Sequence, residues 1–239
     1  MPNSTADLRP ARSTTRRTAA CAAGAAALLG VAALCTPGTA HAAQTATARP
    51  AAGFDDCPPL PSGVDPSRWR CEVHHAAPEL TMGGFTVALA PITMTHAEGP
   101  LPDGTPGQVW GAMRTTPTAM PGGWAIQPEY GGRSDFYTGQ FSLRFHLLSP
   151  LLRHSCTIGA DAPVDFHMKR SGPSEWLSQD PPLIKFSAYD DTFSAPAAAH
   201  CGPLTASVNR RLGLPATSGN LMTYDATYTF KTYDRLPER

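Results

Sequence analysis

The stretch FSLRFHLLSPLLRHSC, residues 141–156, decides the fold. Its first seven positions alternate between large apolar side chains and polar ones, which is the two-residue period of a strand with one buried face. The stretch ends at Cys156, so a core strand and a cysteine able to cross-link lie close together in the chain. The pattern predicts a central strand of a sheet with a disulfide beside it.

Segments of the same character recur on both sides of this stretch, separated by turns rich in Gly and Pro. Residues 115–135 hold so many glycines and prolines that mostly loop is expected there, with one short ordered piece at 124–126. Residues 171–182 are expected to form a turn-rich excursion. Two short strands are expected within 79–90, on either side of a Gly-Gly pair. The other expected strands are 69–73, 92–98, 108–114, 164–170, 183–191 and 221–233.

One helix is expected near the C-terminus, over residues 204–212. Leu204, Val208 and Leu212 are spaced four residues apart, and Gly213 follows where a glycine commonly ends a helix. About nine or ten short strands and one helix predict a mainly β chain, folded as a single β-sandwich or jelly-roll-like domain.

The first 42 residues have the features of a secretory signal peptide. Four arginines precede an apolar run at residues 19–34, and an A-x-A cleavage site ends at Ala42. The apolar run is shorter than the roughly 20 residues needed to cross a bilayer, so cleavage is favoured over a retained anchor. Arg16 and Arg17 leave both Sec and twin-arginine export open.

This interpretation divides the chain into a signal peptide (1–42), a disordered linker (43–53) and a single β domain (54–239). We therefore expect a secreted, extracellular protein with no transmembrane anchor after cleavage, and association with the cell wall stays open. Cleavage removes four of the 19 basic residues and one of the 19 acidic ones, which leaves a formal charge of −3. That charge argues against a nucleic-acid partner, which needs a basic surface. A cell-wall glycan or another secreted protein remains as partner, and no cofactor is indicated.

Four cysteines follow the cleavage site, and an even number in an exported chain indicates two disulfides. Three pairings are open. We favour Cys57 with Cys71, which brackets a Pro-rich segment of little apolar content, and Cys156 with Cys201, which closes a loop of about 45 residues. No C-x-x-C or closely spaced Cys/His set occurs, so the sequence indicates no metal site.

The common catalytic motifs are missing from the sequence, including G-x-S-x-G, S-x-x-K, H-E-x-x-H and the P-loop. The best remaining pair is His96 and Glu98, whose side chains in a strand share one face about 7 Å apart. Ile92 and Met94 share that face, so a buried histidine in a core strand is the structural alternative. The adjacent His74 and His75 are expected to be surface residues.

Three tryptophans are candidates for ligand binding. Trp110, Trp124 and Trp176 lie in or beside segments rich in Gly and Pro, and exposed rings on the loops of a β-sandwich commonly bind sugars or proteins. The alternative is that these rings cover the ends of the sandwich.

Several segments are similar to a pattern found in uncharacterised secreted proteins of actinobacteria. They are FDDCPPLPSGVDPSRWRCEV, ITMTHAEGPLPDGTPGQVWGAMR, LLSPLLRHSCTIG, CGPL and VNRRLGLP. The resemblance extends roughly over residues 54–220 and implies export and paired cysteines. It transfers no catalytic residue.

These observations favour a secreted, disulfide-stabilised β-sandwich with a binding or structural role at the cell envelope or outside the cell. The alternative is a small secreted hydrolase, with glycans as one candidate substrate, using His96 and Glu98. An enzyme-inhibitor domain fits the size and the cysteines but has no identifiable reactive loop. The sequence favours a non-enzymatic role over an enzymatic one.

Overall fold

Two antiparallel sheets pack face to face around a shared core, as the sequence predicted. The structure is a computed structural model that describes residues 53–152 and 155–237, and these fall within one compact unit, 48–239. The predicted signal peptide and residues 43–52 of the predicted linker lie outside the described residues.

Fourteen strands and one α-helix make up the described fold. The strands are β1 (Arg70–Met82), β2 (Phe85–Ala88), β3 (Ile92–Pro100), β4 (Pro106–Arg114), β5 (Thr118–Met120), β6 (Trp124–Asp135), β7 (Gln140–Leu148), β8 (Thr157–Ile158), β9 (Val164–His167), β10 (Lys169–Arg170), β11 (Glu175–Gln179), β12 (Pro182–Asp190), β13 (Ala198–Ala199) and β14 (Leu221–Thr232). The helix α1 spans Thr205–Leu212.

The first sheet has the strand order β10-β12-β14-β1-β3-β4, with β11 paired to β12 and β2 paired to β1. The second has the order β13-β8-β7-β6-β5, with β9 paired to β7. The long strand β1 lies in the middle of the first sheet, between β14 and β3. Its inner face is therefore flanked by further strands on both sides.

Strand β7 confirms the prediction made from the alternating stretch. Leu143, Phe145 and Leu147 point into the core and are almost completely buried. The backbone N–H of Leu147 donates to the carbonyl of Cys156 at 2.9 Å, which holds the disulfide segment against the strand. The predicted core strand and its neighbouring cross-link are both present.

The expectation of a loop over residues 115–135 was wrong. Strand β6 runs through this region and pairs with β7 from Ala125 to Asp135. Strand β5 pairs only with residues 124–126, so Pro128 lies where its missing N–H removes no hydrogen bond to β5. A break in register between Tyr130 and Ser134 accommodates the two glycines. The long apolar partner β7 therefore overrides the local Gly and Pro signals.

Three other strand predictions need correction. The strand expected at 164–170 is divided between the sheets, because β9 pairs with β7 in the second sheet and β10 pairs with β12 in the first. The excursion expected at 171–182 contains β11, which pairs with β12 at the edge of the first sheet. The strand expected at 69–73 and the strand expected just before Gly83 are one continuous strand, β1. Pairing with β14 extends from Arg70 to Thr81 without interruption, which carries the strand through Pro78.

The helix and both disulfides match the predictions. Helix α1 ends at Gly213, whose φ of 65° is the left-handed conformation that glycine adopts readily. Cys57 is bonded to Cys71, and Cys156 is bonded to Cys201. No helix among the described residues is long and apolar enough to cross a membrane.

The interior contains two groups of buried apolar side chains. The larger one includes Leu80 and Met82 of β1 together with the core residues of β7. The smaller one consists of Phe186 and three alanines from neighbouring strands of the first sheet. Strand β1 contributes Leu80 and Met82 to the larger group and Ala76 to the smaller one, so its inner face packs in both.

Removing the Cys156–Cys201 bond should destabilise the fold more than removing Cys57–Cys71. The Cys156–Cys201 bond closes a loop of 45 residues, and the Cys57–Cys71 bond closes one of 14. The chain-entropy model gives stabilisations of about 4 and about 3 kcal/mol for these two loops. We expect this order in urea unfolding of the two double Cys→Ser variants. Equal losses, or a larger loss at Cys57–Cys71, would contradict the loop-length argument.

Candidate functional site

A pocket of about 260 Å³ lies between the two sheets. One wall is the inner face of β1, β3, β12 and β14, and the other is formed by β7, β9 and the hairpin that joins β6 to β7. Most of the wall is apolar, and the charged side chains of Arg70, Glu72 and Glu98 cluster at one end. Arg170 also lines the pocket, with its guanidinium over the ring of Phe186. The pocket thus has an apolar body and a polar end.

Alanines create the space for the apolar body. Ala76 of β1 is the direct neighbour of Ala226 of β14, and Ala188 lies on the next strand, β12. All three are buried and line the pocket. Their neighbours along the inner face are large, such as Phe186 and Tyr228. Larger residues at the three alanine positions would fill the pocket.

The polar end is built by the alternation of two adjacent strands. Arg70, Glu72 and His74 occupy every second position of β1 and therefore share its inner face. Glu98 of β3 is in register with Arg70, and His96 is in register with Glu72. Five polar side chains are thereby placed side by side in the sheet.

The distances show a close cluster. His74 Nε2 lies 3.0 Å from Glu72 Oε2 and makes a hydrogen bond with it. His96 Nε2 lies 3.8 Å from Glu72 Oε2 and 3.5 Å from Glu98 Oε2, beyond the range of a good hydrogen bond. One oxygen of Glu72 is therefore shared between two imidazoles.

Arg70 neutralises part of the negative charge in this cluster. Its Nε donates to Glu98 Oε1 at 2.9 Å, and its Nη2 also donates to that oxygen. The same Nε is 2.7 Å from Glu72 Oε1, but no hydrogen bond forms there because its N–H is directed at Glu98. Two carboxylates consequently share one guanidinium.

The cluster shifts the pKa of its charged members. Burial alone would lower the pKa of Arg70, but the charges of Glu72 and Glu98 outweigh it and raise that pKa. Burial alone would raise the pKa of Glu98, but its contacts with His96 and Arg70 outweigh it and lower that pKa. Arg70 and Glu98 thus hold each other in their ionised forms.

The two histidines of the cluster have different surroundings, and His74 is the one that lines the pocket. His74 is buried, and desolvation lowers its pKa although Glu72 opposes the shift. Its ring stacks on Tyr228, with centroids 5.0 Å apart. His96 is only 1% exposed and stacks on Phe136 at 3.7 Å. Neither ring nitrogen of His96 has a hydrogen-bond partner, a deficiency that costs roughly 1–3 kcal/mol for each buried polar group.

The structure brings the predicted pair together. His96 and Glu98 share one face and reach into the same cluster, as the alternation of β3 indicated. The buried alternative also describes His96 correctly, because this side chain is inside the sandwich. Its catalytic role stays a prediction.

Sequence reasoning missed Glu72 and His74, and the surface position expected for His74 was wrong. The error followed from ending the first strand at residue 73. Had the strand been continued to Met82, the buried phase of Leu80 and Met82 would have extended back by twos to His74 and Glu72. The full length of β1 would therefore have placed both side chains on its buried face.

The three candidate tryptophans lie on separate elements. Trp110 of β4 is partly buried and stacks on Tyr130 at 3.8 Å. Trp124 begins β6 and lies under Arg211, 5.4 Å from the guanidinium carbon. Trp176 of β11 is 50% exposed at the opposite edge of the first sheet from β4. Their role in ligand binding stays a prediction.

Fold and site together define a disulfide-stabilised antiparallel β-sandwich with a pocket between its sheets. No family model, no curated protein and no solved structure matches this chain.

Replacing Arg70 by Met should destabilise the protein by about 1–2 kcal/mol, because two neighbouring carboxylates lose their counter-charge. The loss is smaller than the roughly 3–5 kcal/mol typical of a fully buried pair, since the Arg70 side chain is 42% exposed. Urea unfolding in EDTA measures it. Arg114→Met is the matched control, because Arg114 forms its pair with Asp56 at the surface and should matter little. Equal effects would show that the cluster does not depend on Arg70.

Proposed function

We propose that the protein is exported, loses residues 1–42 and acts outside the cell as a binding domain for a compact, mostly apolar small molecule. The observation that carries the proposal is the pocket between the sheets, with its apolar body and single polar end. Small-molecule sites have this composition: mainly apolar walls with a few convergent polar groups that fix orientation.

The size of the pocket limits the ligand. A volume of about 260 Å³ is slightly below the roughly 300–1,000 Å³ range of small-molecule sites. The aromatic side chains of Phe186, Tyr224 and Tyr228 line its first wall. We therefore propose a short acyl chain or a single ring system rather than a long lipid.

The polar end limits the ligand further. Glu72 and Glu98 offer acceptor oxygens, and Arg70 is already engaged by both carboxylates. A carboxylate on the ligand would meet like charges there, whereas a hydroxyl or amine could donate to them. At this end of the pocket a neutral or weakly basic donor group is the best match, whereas Arg170, which lies over the ring of Phe186, could receive an acceptor group.

A second contact at the envelope is part of the proposal. Trp176 and Leu177 of β11 are about half exposed beside each other at the edge of the first sheet. Exposed apolar side chains of this kind suit a cell-wall glycan or another secreted protein. Membership of the secreted actinobacterial proteins belongs to the same proposal, and it rests on the sequence segments alone.

One observation favours hydrolysis as a second candidate. The His96 Nε2 and Glu98 Oε2 atoms are 3.5 Å apart, and Glu98 lines the pocket. A histidine beside a carboxylate can hold a water molecule and transfer its proton. A binding domain would release its ligand unchanged, whereas a hydrolase would cleave it.

Pocket binding is tested with the neutral fluorescent amine N-phenyl-1-naphthylamine, in EDTA. We expect saturable fluorescence enhancement with the natural sequence and at least about tenfold weaker binding by Ala226→Met, since the longer side chain occupies the pocket. Ala77→Met is the matched control, because Ala77 is exposed on the outer face of the neighbouring strand β1. Equal binding by both variants would remove the pocket as the site.

Hydrolysis is tested with p-nitrophenyl butyrate and p-nitrophenyl glycosides. The binding proposal expects no release of p-nitrophenol beyond that of buffer without protein, and His146→Gln is the control variant that keeps the pair of His96 and Glu98. Turnover that is lost in a folded His96→Ala, Glu98→Ala variant would instead establish the second candidate. Loss of the fold in that variant would identify the pair as structural.

A further inference from the structure

We propose that Glu72, His74 and His96 bind a divalent transition-metal ion at the polar end of the pocket. This inference goes beyond the proposed function, because it holds whether or not an apolar ligand enters the pocket. It rests on the positions of three side chains from two adjacent strands.

The spacing of the ligating atoms suits one ion. Glu72 Oε2 lies 3.0 Å from His74 Nε2 and 3.8 Å from His96 Nε2, and the ligating atoms of all three side chains lie within 4.8 Å of one another. Metal bonds of about 2.0–2.2 Å to nitrogen and oxygen place neighbouring ligand atoms roughly 3–3.5 Å apart. Small side-chain rotations are enough to close the site.

His96 supplies an independent observation. Its ring is buried, and its Nε2 has carboxylate oxygens at 3.5 and 3.8 Å but no hydrogen-bond partner. Two carboxylates therefore lie close to this nitrogen without forming a hydrogen bond with it. A cation between Nε2 and Glu72 would satisfy both groups.

The charge of the cluster also favours a cation. The carboxylates of Glu72 and Glu98 face the single guanidinium of Arg70, which leaves one formal negative charge in a mostly buried site. A divalent ion compensates it. Glu98 is held by two donors of Arg70, so we assign it to the surroundings of the metal rather than to its ligands.

The donor set indicates the class of metal. Two imidazole nitrogens and one carboxylate oxygen suit zinc or iron(II), whereas calcium and magnesium prefer oxygen ligands throughout. The three ligands all come from one wall of the sandwich, because Glu72 and His74 alternate on β1 and His96 is in register with Glu72 on β3. Glu72 and His74 line the pocket, so we assign the remaining coordination positions to the pocket side, where a further ligand could bind.

Co²⁺ is a suitable probe because tetrahedral or five-coordinate binding gives visible d–d absorption. Untagged protein is treated with EDTA, dialysed and titrated with Co²⁺, then with Zn²⁺ as competitor. We expect one equivalent to bind and Zn²⁺ to displace it, with no displacement by Ca²⁺ or Mg²⁺. Glu72→Gln and His96→Gln should each bind at least about 100-fold more weakly, beyond the 10–100-fold typical of losing an outer-shell partner.

His146→Gln is the matched control, because His146 makes a hydrogen bond with Glu129 on the other sheet. Both of these side chains are accessible to solvent. The Co²⁺ affinity of this variant should equal that of the natural sequence. Circular dichroism in EDTA shows whether each variant is folded. X-ray absorption of the natural sequence with Zn²⁺, which needs no variant, should show two imidazole ligands.

Unchanged affinity in folded Glu72→Gln and His96→Gln would overturn the inference, and so would an absorption spectrum without two imidazoles. The test of pocket binding is separate, because N-phenyl-1-naphthylamine is titrated in EDTA. Metal binding without probe binding would refute the apolar ligand alone, and probe binding without metal binding would refute the metal alone.

Discussion

The uninterrupted pairing of β1 with β14 and β3 is the interaction on which the rest of the structure depends. A strand of thirteen residues keeps one phase, so its inner face runs from charged residues at Arg70 to fully buried apolar ones at Met82. One face therefore contributes both to the main core and to the polar end of the pocket. A break in this strand would change the face on which Glu72 and His74 lie, because a shift of one residue exchanges the two faces.

The outer face of the same strand end is fastened covalently. Cys71 lies between Arg70 and Glu72 in sequence but points to the opposite side, where it is bonded to Cys57. Trp69, fully buried, donates its indole N–H to the carbonyl of Pro100 at 2.8 Å. The disulfide and this hydrogen bond thus hold the backbone that carries the charged cluster. Such rigidity matters because side chains that bury charge need their partners held in place.

Local patterns predicted the elements whose residues alternate clearly. The core strand β7, the pair of His96 and Glu98 on β3, helix α1 and the disulfide partners all follow from spacing and composition. Strand β6 could not be predicted in this way, because its prolines and glycines signal a loop and only pairing with β7 extends it. Glu72 and His74 share a site with His96 through registry between β1 and β3, and single-strand periodicity does not reveal which strands pair. The cluster therefore depends on the pairing of two strands and not on the pattern of either strand alone.

The stacked rings around His96 continue to a tryptophan. His96 lies against Phe136 with centroids 3.7 Å apart, Phe136 is 6.3 Å from Trp110, and Trp110 lies against Tyr130. Indole emission is sensitive to the packing and polarity of its immediate neighbours. Trp110 is one of four tryptophans in the sequence, and a rearrangement of the hairpin that carries Phe136 should change its contribution to the intrinsic fluorescence without any added label.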